Sequence, residues 1–376
     1  MDGKHINIIT LSDLHFGHDT NKSEYIANSL NAWFKRYEST INKADIIIIP
    51  GDVADKLLSP SSKDSLIMYG WLTSLVLYCK NNNIKLRILE GTPSHDRRQV
   101  ELLDKIISNL NIEGLDYKYV PILSYEYIED LDIDIIYIPD VWKPTADEVY
   151  IDVLKKLKEI NKDKVDMIVM HGGFKYQMPG IESNQFHDED KYNELVNYLV
   201  ISGHIHDTSM YKKILVPGSF ERLTHADGLK SKGGYFISID KDNNSIDVEF
   251  LENKNALPFI TIDITDKDVK YIYNKLEQLK NKYPVAHIRF INKKDNADKL
   301  MYINEIKKTY PNFKITVTSK VKEEETKTIL GERKTIENKV LDDDTILNFI
   351  NEEIRTLEDD EMKRLIIEEY KNLSRK

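Results

Sequence analysis

Seven short apolar runs, each stopping at a polar or glycine-containing turn, constrain this chain more than any other feature: INIITLSD, ADIIIIPGD, IKLRILEG, IDIIYIPD, VDMIVMHGG, LVISGHIH and KKILVPGS. Most are continuous rather than alternating. A strand with one wet face alternates apolar and polar residues, whereas a continuous run needs cover on both faces. The runs therefore predict a layered α/β domain. Helical stripes lie between them. Tyr25, Ile26, Leu30, Trp33, Phe34 and Tyr37 mark one apolar face. The segment SLIMYGWLTSLVLYCK is apolar on more than one face, which predicts a helix either deeply buried or shared with another subunit.

Near Leu257-Pro258 the pattern of strand and polar turn stops. Main-domain residues 1–255 are followed over 256–320 by ITIDIT, KYIYNKLEQLKNK, AHIRFIN and FKITVTS, which read as a small separate α+β unit. Residues 321–340 are highly charged and read as a linker. In 341–376 an Asp342-Asp343-Asp344 start precedes two amphipathic stripes, a helical tail suited to docking on a partner.

Composition limits the function classes. The single cysteine, Cys79, excludes an internal disulfide and a cysteine-based zinc site, and fits a reducing compartment. No long apolar run or signal-like start is visible, so the expectation is a cytoplasmic protein without a membrane partner. The net charge of −10 argues against nucleic acid only weakly, because 16 acidic against 11 basic side chains in 321–376 place half of it there.

Five of the ten histidines stand at the ends of the apolar runs: His15 in SDLHFGH, His95 in GTPSHD, His171 in MHGG, and His204 and His206 in SGHIH. Asp13 and Asp52 occupy equivalent ends. Loops at the carboxyl ends of strands are where layered α/β proteins place their sites. A lone histidine in such a turn is more often a hydrogen-bonding residue than a ligand. His-x-His in an extended segment puts both rings on one face, a spacing that suits chelation. Seven such side chains in order are far less common by chance. Imidazole with carboxylate suits borderline divalent ions such as Mn²⁺, Zn²⁺ or Fe²⁺. Two such ions about 3.5 to 4 Å apart, bridged by a carboxylate, clamp the attacking and leaving oxygens of a phosphoester.

Asp-x-His, Gly-Asp, Gly-x-x-x-His-Asp, His-Gly-Gly and Gly-His-x-His, in this order over roughly residues 5–250, resemble the calcineurin-like metallophosphoesterase superfamily. Within it, GDVAD, the helix-forming segment after it, GSFERLTHAD, the small second unit and the helical tail resemble the SbcD-type DNA nucleases. The resemblance implies a layered β-sandwich flanked by helices, with a small α+β capping domain and a helical tail. It implies a homodimer through the helices after residues 23 and 64, an SbcC-type SMC-like ATPase partner, DNA as substrate, and two divalent metal ions, Mn²⁺ by family expectation. Asp13, His15 and His206 would hold one metal, and His171 and His204 the second, with Asp52 bridging. His95 would contact the phosphate and assist the leaving oxygen.

The sequence departs from the family at one point. The residue before the catalytic histidine is Asn in the family, a carbonyl ligand to the second metal, and here it is Ser94, with Thr92-Pro93 inserted after Gly91. A serine hydroxyl is a poorer ligand, so either it binds through a water, or Thr92 or a backbone carbonyl replaces it. A weaker second site and a demand for millimolar-range Mn²⁺ are expected, on the order of what ligand count implies. Asp96 is a candidate to orient His95 or a ligand histidine. Arg97, Arg98, Lys175, Arg222, Lys230 and Lys232 are candidate phosphate contacts, against the plain reading of surface cations. His18, His187 and His225 read as turn or surface histidines, and Asp55 carries no assigned role. Two other functions stay open: a stand-alone phosphatase or nucleotide phosphodiesterase, and a non-catalytic scaffold with a decayed site.

Overall fold

A computed structural model of the 376-residue chain describes residues 5–112, 114–140, 143–181, 183–293 and 297–319. The linker over 321–340 and the helical tail over 341–376 lie outside the described residues. The elements, in chain order, are β1 (His5–Thr10), α1 (Ser23–Arg36), α2 (Glu38–Ile41), β2 (Ile46–Ile49), α3 (Lys63–Asn81), β3 (Lys85–Leu89), α4 (Glu101–Asn109), β4 (Tyr117–Val120), β5 (Ser124–Ile128), β6 (Ile133–Ile138), α5 (Ala146–Glu159), β7 (Val165–His171), α6 (Glu189–Glu194), β8 (Val196–Gly203), β9 (Ser209–Tyr211), β10 (Ile214–Val216), β11 (Gly233–Asp240), β12 (Ser245–Glu252), β13 (Phe259–Asp263), α7 (Val269–Lys282), β14 (Ala286–Asn292), α8 (Ala297–Thr309) and β15 (Phe313–Ser319).

Two six-stranded sheets, ordered β12-β11-β1-β2-β3-β4 and β5-β6-β7-β8-β10-β9, are flanked by helices. The continuous apolar runs show why. In β2, Ile46 and Ile48 enter the core shared by the two sheets, while Ile47 and Ile49 enter a second core with α1 and α3. In β7, Met167 and Val169 face inward, and Val165, Ile168 and Met170 face the side covered by α5 and α6. Each strand is thus covered twice, as the absence of alternation predicts. Edge strands are the exception: along β12 exposed and part-buried residues alternate, and β9 is exposed or part-buried throughout.

The helices after residues 23 and 64 are α1 and α3. α3 is capped by the Ser62 hydroxyl, which accepts the Ser65 N–H at 3.1 Å. It buries Met68, Trp71, Leu72, Leu75, Val76 and Cys79, and leaves Leu66 and Leu77 exposed. Residues 259–319 form a three-stranded sheet with a core of its own, including Ile262, Leu276, Ile288, Phe290 and Ile306. β13 and β14 pair in parallel, so α7 is a crossover and the unit is built on a βαβ motif. Among the described residues, no helix is long and apolar enough to cross a membrane.

Candidate metal centre

β1 pairs in parallel with β2 and β2 with β3, while β7 pairs in parallel with β8, so the loops after these strands gather at one end of the sandwich. Asp13 N–H donates to the Gly51 carbonyl at 3.2 Å and His15 N–H to the Asp52 carbonyl at 3.1 Å, which lays two of the loops side by side. Across the sheets, His171 Nε2 lies 3.3 Å from Asp52 Oδ1. This approach needs glycine. A Cβ on Gly91 would overlap the Asp52 backbone and carboxylate, and one on Gly203 would overlap the Pro50 carbonyl.

The seven strand-end side chains converge in three overlapping groups. Asp13, His15 and His206 form one; His15, Asp52 and His95 a second; Asp52, His171 and His204 a third, with donor atoms inside each lying within 4.8 Å of one another. Asp52 stands in two of them. His15 Nε2 is 3.1 Å from His206 Nε2 and 3.8 Å from Asp52 Oδ2. Asp13, His15, Asp52 and His171 are buried, whereas His95, His204 and His206 are partly open. Four of these residues hold left-handed backbone: Asp13 at φ 51°, His15 at 53°, Asp52 at 52° and His204 at 93°. Such conformations cost about 1–3 kcal/mol each and persist where surrounding structure fixes them.

Neighbours fix which ring nitrogen faces the centre. His171 Nδ1 donates to the Pro50 carbonyl at 2.7 Å, and His15 Nδ1 lies 3.1 Å from Asp55 Oδ1. Each turns its Nε2 toward the cluster, the arrangement metal-ligating histidines use, and a metal ion bound there would displace the proton that Asp52 favours. Asp13 accepts the His204 N–H at 3.0 Å. The electrostatics are those of opposed charges in a buried space. Against the burial of its ring, the Asp52 carboxylate raises His171 to about 10. Burial, with His171 adjacent, lowers His204 to about 4. The hydrogen bond to Asp52, at 3.0 Å, raises His95. The donor set fits divalent ions: neutral imidazole and carboxylate, converging from rigid backbone, with one carboxylate shared.

Several sequence expectations need correction. Ser94 is exposed and takes no part in the cluster. Thr92 stands there instead: its hydroxyl lies 3.3 Å from Asp52 Oδ2, 3.2 Å from His171 Nε2 and 3.4 Å from His204 Nδ1. Asp96 is buried but orients no histidine; it accepts the Ala54 N–H and the Gly91 N–H, each at 2.8 Å, and so braces the loops that carry Asp52 and His95. Burial, then the nearby charge of Asp52, raises it to about 7. Asp55, left without a role, is the partner of His15. His187 is no surface residue; it is 7% exposed and packs between Phe174 and Tyr192.

The cations divide in two. Arg222 gives its guanidinium to backbone carbonyls, those of Lys230 at 2.7 Å, Ala256 at 2.5 Å and Leu229 at 3.3 Å, so it braces its own loop. Lys232 is buried, bonded to the His206 carbonyl at 2.8 Å and the Ser219 hydroxyl at 2.9 Å, and paired with Asp227 at 2.8 Å. Lys230 is paired with Asp207 at 2.7 Å, and Lys175 lies 3.6 Å from Asp188. Arg97 and Arg98 are exposed, on consecutive left-handed residues at φ 45° and 55°, with the Arg98 N–H donating to the buried Glu90 at 2.7 Å. They stand immediately after His95-Asp96.

No family model matches the chain, and no curated protein matches it. Among solved structures, one described as "GAP50 the anchor in the inner membrane complex of Plasmodium" is similar with a TM-score of 0.39 and 13% identity, over 67% of this chain and 85% of that one. Another, TT1561 of Thermus thermophilus, is similar with a TM-score of 0.37 and 13% identity, over 65% of this chain and 99% of that one. At this level of similarity the functional reading rests on the residues themselves.

Proposed function

We propose that the chain is a divalent-metal-dependent phosphodiester hydrolase acting on DNA, an SbcD-type nuclease subunit using two Mn²⁺ ions and working with an SbcC-type ATPase. The observation that carries the metal-dependent reading is Asp52, whose carboxylate belongs at once to the triad with His15 and to the triad with His171 and His204. Asp13, His15 and His206 would hold one ion and His171 and His204 the other, with Asp52 between. When bound, the ions supply Lewis-acid stabilisation of charge on the phosphoryl oxygens and activation of water.

The chain's own residues supply the rest. Asp52 takes His95 Nδ1, which leaves Nε2 as the ring nitrogen that meets substrate and donates a proton toward the leaving oxygen. The Pro50 carbonyl accepts the His171 Nδ1–H, and the Asp55 carboxylate stands 3.1 Å from His15 Nδ1, so each ligand ring has a neighbour on the side away from the ions. Arg97 and Arg98, exposed and next in sequence to His95-Asp96, would contact a phosphate next to the scissile one, Arg98 turning from Glu101, 3.6 Å away, to do so. The order of the five motifs and the additional unit over 259–319 support a polymeric substrate. The homodimer belongs to the same proposal; exposed Leu66 and Leu77 on α3 support it.

A second reading, hydrolysis of nucleotides or other small phosphodiesters, is favoured by a cavity of about 530 Å³ beside His204, a volume that holds one nucleotide. Cleavage of end-labelled linear DNA against para-nitrophenyl phosphodiester, in Mn²⁺ and in EDTA, separates the two. The nuclease reading expects Mn²⁺-dependent DNA cleavage that His95→Ala abolishes. Turnover of the small ester with none of the DNA favours the second reading. A pull-down with residues 341–376 deleted tests the ATPase contact, which is expected to be lost.

A further inference from the structure

His95 stands on no strand or helix. It lies in the turns between β3 and α4, followed by Asp96 and by the left-handed residues Arg97 and Arg98, so the place of its ring depends on what holds that loop. Asp96 and Glu90 take backbone N–H groups around it. The carbonyl of His95 itself is held by Gln99, a residue with no part in the metal centre.

The Gln99 side chain is fixed at both ends. Its Oε1 accepts the Leu58 N–H at 2.7 Å, and its Nε2 donates to the carbonyls of Lys56 at 3.0 Å, His95 at 3.2 Å and Asp96 at 3.0 Å. A backbone N–H only donates and a carbonyl only accepts, so one orientation of the amide fits these partners and a carboxylate does not. Residues 56–58 follow the loop of Asp52, whose carboxylate lies 3.0 Å from His95 Nδ1. The amide therefore sews the loop of His95 to the loop that aims its ring. The Gln99 backbone is anchored too: its N–H goes to the Asp96 carbonyl at 2.9 Å, and its own carbonyl accepts the Tyr69 hydroxyl at 2.7 Å. Tyr69 is a part-buried residue of α3. Hydrogen bonds thus run from α3 through one residue to the backbone of His95.

We propose that Gln99 is a positioning residue for His95 and that Tyr69 extends its hold to α3, so that the aim of the proton donor depends on the placement of that helix. The inference rests on the phosphoester reading and adds a means of control to it: a partner seated on the exposed Leu66 and Leu77 of α3 acts on a helix bonded to the loop of His95. A slightly displaced ring leaves metal and substrate in place and loses proton transfer.

The test uses the leaving group. Para-nitrophenolate departs with little help, whereas phenolate needs a proton, so loss of the donor raises the preference for the nitrophenyl ester. The full chain in Mn²⁺ is assayed on bis(para-nitrophenyl) phosphate and on diphenyl phosphate. In Gln99→Met, the kcat ratio of the first ester over the second is expected to rise about tenfold, with KM and the Mn²⁺ titration unchanged. Tyr69→Phe is expected to move it the same way, about threefold. Gln99→Glu, which keeps the shape and the bond from Leu58, serves if Gln99→Met does not fold. An unchanged ratio in the Gln99 variant, whatever its rate, makes the residue merely structural and overturns the proposal; an unchanged ratio in Tyr69→Phe overturns the hold of α3. If wild type hydrolyses neither ester, the phosphoester reading fails and the place of His95 is read directly, from its ring Cε1–H resonance in metal-free protein, assigned with His95→Ala. A shifted resonance in the Gln99 variant then supports the positioning role, and an unmoved one overturns it.

Discussion

The two halves of the metal centre are built to different standards. The half with Asp13, His15 and His206 has all its expected side chains, with His15 braced by Asp55 and Asp13 anchored by the His204 N–H. The half with His171 and His204 has its rings and Asp52, but its remaining position is filled by a threonine hydroxyl. A neutral hydroxyl is a weak ligand for a divalent ion beside carboxylate and imidazole. The first half should therefore bind metal tightly and the second loosely, so that an enzyme with this centre depends on free metal concentration.

The strongest way to break the contrast is to remove what the halves share. Asp52→Ala is expected to reduce phosphodiester hydrolysis on the order of 10³-fold, equivalent to several kcal/mol of transition-state stabilisation, and to weaken both sites together. Hydrolysis rates together with metal stoichiometry check it. Asp55→Ala sharpens the contrast from one side. It frees the His15 ring and is expected to weaken the first ion about 10- to 100-fold while sparing the second; Mn²⁺ titration by calorimetry reads the two steps separately. Thr92→Ala works from the other side, with about a tenfold loss confined to the weaker step. Ser94→Ala is expected to leave both steps unchanged in the same titration, since the residue is exposed.

The smallest effect concerns the brace behind the first half. Lys232 holds the His206 carbonyl and is paired with Asp227. Despite its burial, Asp227 is kept below the usual carboxylate range by that ammonium group. A carboxylate with a depressed folded-state pKa contributes stability above its unfolded value, near 3.8, and loses it as pH falls through the folded value. Thermal melts of metal-free protein between about pH 2 and 5 should show, below about pH 4, an acid limb of at most about 1.4 kcal/mol per pH unit from this group. Asp227→Asn should flatten it.

Much of this was legible in the sequence, for physical reasons. Four consecutive isoleucines in β2 announce cover on both faces because successive side chains point oppositely. The strand-end aspartates and histidines announce a site because parallel strands deliver their ends to one edge. The brace from Asp55 was not legible: it joins residues 40 apart through the packing of two loops, and nothing local encodes that. Thr92 was legible as one of three replacements for Ser94, and the choice among them was not, because motif letters do not say which side chain of a loop points inward. Arg222 misled, since an arginine next to a motif serves backbone carbonyls as readily as phosphate. His187 reads as a turn or surface histidine because the polar segment around it conceals the fold-back onto Tyr192.

The central claim is that two divalent ions share Asp52, and electron paramagnetic resonance of the Mn²⁺-loaded chain tests it without reference to any substrate. The account predicts two ions per chain at saturation with an exchange-coupled spectrum, replaced in Asp52→Asn by the six-line signal of isolated Mn²⁺. Saturation at one ion, or two ions that show no coupling in the wild type, would contradict it.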